Sequence, residues 1–182
     1  MSQARGPISV NNMETKRWKN ILWNTLITVL GIACFPANPL VLSGVLEVNS
    51  HLGLVILGGV IWAFGMALVM APIIMFPRHG GVPRGKSFVN TTQLVDSGIY
   101  SLVRHPQYTG GVYSIFITTL LWYPHWLFLL LGVLGTAVIY MSCREEDQRL
   151  IQQFGDQYLD YMKRVPRMNI FLGIKRVVQH RK

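Results

Sequence analysis

The sequence predicts an all-α, polytopic transmembrane protein, and three observations carry that expectation. Of its 182 residues 51% are hydrophobic and only 14% are charged. The charges also avoid three long stretches, since no Asp, Glu, Lys or Arg occurs in 20–46, 48–76 or 105–143, and a bilayer-crossing helix needs roughly 20 largely apolar residues. Finally, the 17 Lys and Arg fall into three groups, Arg5 to Lys19, Arg78 to Arg104 and Arg144 to Lys182. If 20–46 and 52–76 each cross once and 105–143 crosses and returns, all three groups lie on one side, which the positive-inside rule makes the cytoplasm. The net charge of +9 then suits anionic headgroups and not nucleic acid. The expectation is an integral protein of the cell membrane, with the lipid bilayer as its first partner and four to five spans.

The elements follow in order. Residues 1–19 read as a cytoplasmic tail ending in "KRWKN", an interfacial anchor of cations and Trp18. Residues 20–76 hold the N-terminal transmembrane helices. The first is interrupted at "FPANP", where Pro36 and Pro39 each remove a backbone donor, so the interval is one broken span or a span with a short re-entrant piece. The second, 52–76, carries Gly58, Gly59, Gly65, Ala67 and Ala71, small residues that let another helix approach closely. Residues 77–182 form a third unit of loop, helical hairpin and C-terminal helix. Its loop, 77–97, is rich in Gly, Pro and polar residues, and such loops on rigid scaffolds often carry function. The interval 105–143 is too long for one crossing, and "WYPHW" in its middle suits a turn between two helices at the far interface. The return leg brings "CREEDQRLIQQFGDQYLDYMKRVPR" back to the side of "GIYSLVRHPQYTGG", residues 98–111. Leu150, Ile151, Phe154, Tyr158 and Tyr161 recur at helical spacing, which predicts an amphipathic helix on the membrane face or continuing the span, ended by Val165-Pro166. Cys34 and Cys143 lie in apolar context without metal-ligand spacing.

Taken singly, the polar residues have plain structural readings. Arg104, His105 and Pro106 suit an interfacial anchor with Pro opening a helix, Gly110 and Gly111 suit helix packing, and Glu145 and Glu146 beside Arg144 and Arg149 suit surface ion pairs. Their convergence points further. The hairpin makes a polar loop, an aromatic-histidine cluster and three adjacent acids neighbours at a membrane surface, where ionisable groups are functional candidates.

The run "TTQLVDSGIYSLVRHPQYTGG", then "EE", then "FGDQYLDYMKRVP" resembles the C-terminal half of the isoprenylcysteine carboxyl methyltransferase family and its relatives among phospholipid methyltransferases. The shared pattern is LVxxGxYxxxRHPxYxG … EE … FGxxYxxYxxxVP, and the match covers roughly residues 85–167. The resemblance implies an integral membrane enzyme that binds S-adenosylmethionine, and its product S-adenosylhomocysteine, without a Rossmann domain. By position, Thr92, Gln93, Leu94, Val95 and Tyr100 would line the adenosine region. His105, Pro106, Gln107 and Tyr108 would hold the ribose and amino-acid portion, and Glu146 would meet a polar group. The implied acceptor is a lipophilic, prenylated or other lipid substrate whose carboxylate is methylated at the cytoplasmic interface; on physical grounds its tail is expected to enter sideways from the bilayer between helices, past pocket-facing hairpin glycines, with the cofactor entering from the cytoplasm.

An ionised carboxylate needs no base, only a cation to place it. The family carries an Arg one helical turn before the cofactor-contacting glutamate, where this chain has Ser142; Arg144 is the substitute, on another side of the helix. Arg144 and Glu145 are the catalytic candidates. An amine acceptor, as in phospholipid headgroup N-methylation, would need a proton removed by Glu145 or His105. A non-catalytic scaffold or transporter subunit explains the spans and basic surface but not the ordered motifs. No feature sets an oligomeric state.

Overall fold

The structure, a computed structural model, describes residues 39–81 and 92–180. Every regular element among them is helical. In chain order they are α1 (Pro39–Leu42), α2 (Leu52–His79), a 3-10 turn (Gly98–Ser101), α3 (Pro106–Gly111), a π-helical turn (Val112–Ile117), α4 (Thr118–Trp122), α5 (Trp126–Phe154), α6 (Asp156–Arg164) and α7 (Ile170–His180). Of these, α2 and α5 are long and apolar enough to cross a membrane. Both leave large apolar side chains exposed, among them Ile56, Val60 and Ile73 on α2 and Leu129, Val133 and Met141 on α5, as a lipid-facing surface requires. Most of the span expected over 20–46, the tail 1–19 and the loop residues 82–91 lie outside the described residues.

Two helical stretches, 106–122 and 126–154, are joined by the short turn at Tyr123–His125. Pro106 opens α3 at a position where no backbone donor is needed, and α3, the π-helical turn and α4 run as one rod to Trp122. His125 then caps α5, its Nδ1 accepting from the Leu127 amide at 3.2 Å. The rod crosses α2 where two glycines meet. A Cβ on Gly65 would lie 2.7 Å from the Ser114 amide nitrogen and 2.8 Å from the Gly110 carbonyl oxygen, so only glycine permits this approach. Farther along, Thr118 Oγ1 donates to the Gly58 carbonyl at 3.3 Å and Trp122 Nε1 to the Val55 carbonyl at 3.0 Å. Trp122, at the start of the expected interfacial turn, thus ties helix to helix, while Trp126 stays exposed. Gly110 serves this crossing, in keeping with its helix-packing reading, whereas Gly111 faces open space.

The C-terminal helix differs from its expectation. Gly155 adopts φ 58°, ψ −134°, a conformation open essentially to glycine alone, and it separates α5 from α6. The turn redirects the apolar face inward. Tyr158, Tyr161 and Val165 are buried together, with Leu94, Leu150, Ile151 and Phe154 packed around them. The periodicity was real, but its face covers protein and not the membrane. Val165 leaves the helix in an extended conformation, as Pro166 after it demands.

Candidate functional site

The site forms where residues 92–108 meet residues 146–167. After α6, residues 166–167 run beside residues 104–105, with the Arg104 amide donating to the Pro166 carbonyl at 3.0 Å and the His105 amide to the Arg167 carbonyl at 3.2 Å. Tyr161 Oη donates to the Tyr100 carbonyl at 2.6 Å. Arg164 pairs with Asp96 at 3.3 Å. The 92–93 segment is held to the end of α2, since Thr92 and Gln93 both donate from their amides to the Gly80 carbonyl.

At the centre of this join is Asp147. Its Oδ1 accepts from Arg104 Nη1 at 2.9 Å, from Tyr158 Oη at 2.6 Å and pairs with His105 Nε2 at 2.8 Å; its Oδ2 accepts from Arg167 Nε at 2.8 Å. An ionised carboxylate only accepts, so His105 carries its proton on Nε2, and Nδ1 is the ring's other nitrogen. Arg104 also donates from Nε to the Val165 carbonyl at 3.1 Å, and Arg167 lies over the Tyr140 ring at 4.8 Å. Asp147, Arg104 and His105 are all buried. Every buried side-chain nitrogen and oxygen among the described residues has a partner, so the network is complete. Burial raises the pKa of Tyr158, and its hydrogen bond to Asp147 raises it further. Burial does the same to Tyr161 and Tyr100. All three phenols therefore stay protonated well into the alkaline range.

Beside the hub opens a cavity of about 240 Å³. Pro72 and Phe76, one turn apart on α2, make one wall, and Phe76 stacks on Tyr100 with ring centroids 5.4 Å apart. The facing wall comes from α5 and α6: Glu146, Arg149, Leu150, Gln153, Phe154, Tyr158 and Tyr161. Glu146 and Arg149 form a two-pronged ion pair across one helical turn, one prong being Arg149 Nε to Glu146 Oε2 at 3.1 Å.

Gln93, Leu94, Val95, Tyr100, His105, Pro106, Gln107, Tyr108 and Glu146, all expected around a cofactor, line this one cavity. Thr92 does not; its hydroxyl donates to the Gly81 carbonyl at 2.7 Å. Arg144 is exposed and Glu145 half-buried, and neither lines the cavity. The sequence reading missed the hub residues Asp147, Tyr158 and Arg167, and it missed Arg149 as a cavity cation. A signal for the last was present: Glu146 and Arg149 stand three apart on a helix, the spacing at which side chains meet.

Residues 53–157 match the phospholipid methyltransferase family. The mouse protein-S-isoprenylcysteine O-methyltransferase is 40% identical over 82 residues, covering 42% of this chain and 27% of the relative. The methanethiol S-methyltransferase of Pseudomonas deceptionensis is 28% identical over 125 residues, covering 65% of this chain and 47% of the relative. A second methanethiol enzyme, from Bradyrhizobium diazoefficiens, is 34% identical over 84 residues, 46% of this chain and 31% of the relative. The chain thus spans between about a quarter and a half of the length of these relatives. No solved structure matches.

Proposed function

The chain belongs to the phospholipid methyltransferase family, and from that premise we propose that it is an S-adenosylmethionine-dependent methyltransferase embedded in the membrane, with its cavity at the cytoplasmic surface. The observation that carries this reading is the gathering of the expected cofactor residues around one cavity lined by aromatic rings, by Glu146 with its partner Arg149, and by Arg104 and His105. The chemistry of those walls fits the cofactor. Phe76, Tyr100 and Phe154 offer an apolar slot for a purine, aromatic faces attract a cation, and Glu146 is an acceptor for hydroxyl or ammonium groups. Bound there, S-adenosylmethionine supplies a methyl group already activated on a sulfonium, so the protein's part is positioning and electrostatics.

Glu146 is held by Arg149, and meeting a ligand would require sharing or exchanging that partner. Arg149 then becomes the cation at the cavity that can orient a carboxylate, the role first assigned to Arg144. This favours carboxylate methylation of a lipophilic acceptor. A sulfur acceptor is a second reading, favoured by the similarity to methanethiol S-methyltransferases, which extends over a longer stretch of this chain. For headgroup N-methylation, His105 lines the cavity and Glu145 does not, so His105 is the better base. The cytoplasmic orientation rests on the basic groups of the sequence.

Calorimetric binding of S-adenosylhomocysteine to detergent-solubilised protein tests this reading. Glu146→Ala should weaken binding about ten- to a hundredfold, the loss of one charge-assisted hydrogen bond of roughly 1.5–3 kcal/mol. Absence of saturable binding by folded wild-type protein returns the chain to the scaffold reading. Among acceptors, Arg149→Gln should raise KM for a prenylated carboxylate while leaving a thiol unaffected.

A further inference from the structure

The last described helix carries an apolar arc that no part of the described protein covers. On α7, Phe171 is 77% exposed, Ile174 46% and Val178 54%; at about 100° per residue they project from one narrow sector. On one side of that sector lies the face docked on the protein. Ile170 is buried with Leu68 and Val103, Gly173 lies against the Leu102 carbonyl, and Arg176 donates from Nη1 to the Lys163 and Arg164 carbonyls, each at 3.3 Å, closing the end of α6. On the other side lie Lys175 and Gln179, both exposed, with Leu172, 37% exposed, between them and the docked face. Around its circumference α7 thus passes from protein contact to bare apolar surface to polar surface, the pattern of a helix lying along a bilayer boundary.

Two further observations say what covers the arc. Leu68, on which Ile170 rests, is about 24 Å along α2 from Leu52 at ~1.5 Å per residue, just inside the roughly 30 Å depth at which a hydrocarbon core ends. The segment 161–182 contains seven Lys and Arg and no Asp or Glu. Three of these cations already answer acids, Lys163 pairing with Asp160, Arg164 with Asp96 and Arg167 with Asp147; Lys175 borders the arc. We infer that α7 lies in the headgroup boundary of an anionic leaflet, with Phe171, Ile174 and Val178 in the acyl layer and Lys175 among lipid phosphates. This rests on the membrane placement proposed above and not on methyl transfer.

The test is spin-label depth measurement on full-length protein in nanodiscs of phosphatidylcholine, with and without phosphatidylglycerol. Labels are introduced one at a time at Phe171→Cys, Ile174→Cys and Lys175→Cys in a Cys34→Ser background, Cys143 being buried. Val60→Cys, on the exposed face of α2, reports the membrane placement itself. The expected result is high oxygen and low nickel-chelate accessibility at 171 and 174 and the reverse at 175. Adding phosphatidylglycerol should deepen the first two labels, and Lys175→Glu should remove that shift. Nickel accessibility at 171 and 174 with oxygen accessibility at 60 overturns the inference while the membrane placement stands; nickel accessibility at 60 overturns both. Labels reached by neither reagent mean a covering protein, a second copy included, and overturn it too. So does a depth indifferent to phosphatidylglycerol.

Discussion

The α2 crossing and the Asp147 hub hold the same rod at different points, by opposite means. At the crossing the bonds between helices are few, and stability comes from backbones brought together by Gly65 and Gly110, with hydroxyl and indole donors reaching the other helix's carbonyls. At the hub one carboxylate gathers two guanidinium groups, an imidazole and a phenol from three separate segments. Close packing suits lipid surroundings, where water gives no hydrophobic drive between helices. The hub suits a cavity wall, because side chains fixed by charge hold their positions when a ligand arrives. It also carries a risk that the crossing lacks, since removing one buried partner strands the others.

That contrast can be broken first at the hub. Asp147→Ala should cost about 3–5 kcal/mol, because Arg104 and Arg167 lose their shared counter-charge; the readout is thermal unfolding in detergent. Asp147→Asn, which keeps the shape, should recover only part of it. The crossing should respond to volume and not charge. Gly65→Ala should cost about 1–3 kcal/mol through overpacking, whereas Gly59→Ala, which meets nothing within 4 Å, should stay within about 0.5 kcal/mol of wild type. Equal losses at the two glycines would dissolve the crossing as described. Trp122→Phe, deleting one interhelical donor, should cost about 1 kcal/mol.

A smaller effect distinguishes the regions by pH. The folded pKa values of Tyr158 and Tyr161 are raised, first by burial and then by the charge or phenol beside them, whereas unfolded tyrosine ionises near ~10. The unfolded chain then binds fewer protons above that point, so this stabilisation is complete below about pH 10 and declines as pH rises further. Unfolding midpoints followed into that alkaline range should fall in wild type and fall less in Tyr158→Phe, measured against its own neutral-pH value. Identical slopes would detach Tyr158 from the hub.

The helical class, the turn at Tyr123–His125, the end of α6 before Pro166 and the shared location of the 92–108 and 146–161 residues were legible from the sequence. Each depends on a local or one-dimensional signal: apolar run length, a proline, or a hairpin that returns the chain. The motif order located the cavity for the same reason. What the tertiary structure alone decided was where groups of equal local promise would point. Nothing within "REED" separates Glu145, half-buried away from the cavity, from Glu146 on its wall and Asp147 in the hub, because about 100° of helix rotation per residue matters only once neighbours exist to face. Arg104 reads like an anchor until Asp147 and Val165 come within reach. The tyrosine face of α6 reads like a membrane face until Gly155 turns it inward. Apolar length and breaker residues act along the chain and survive in the sequence; the partner of a buried charge lies 20 to 43 residues away, and folding alone brings it into contact.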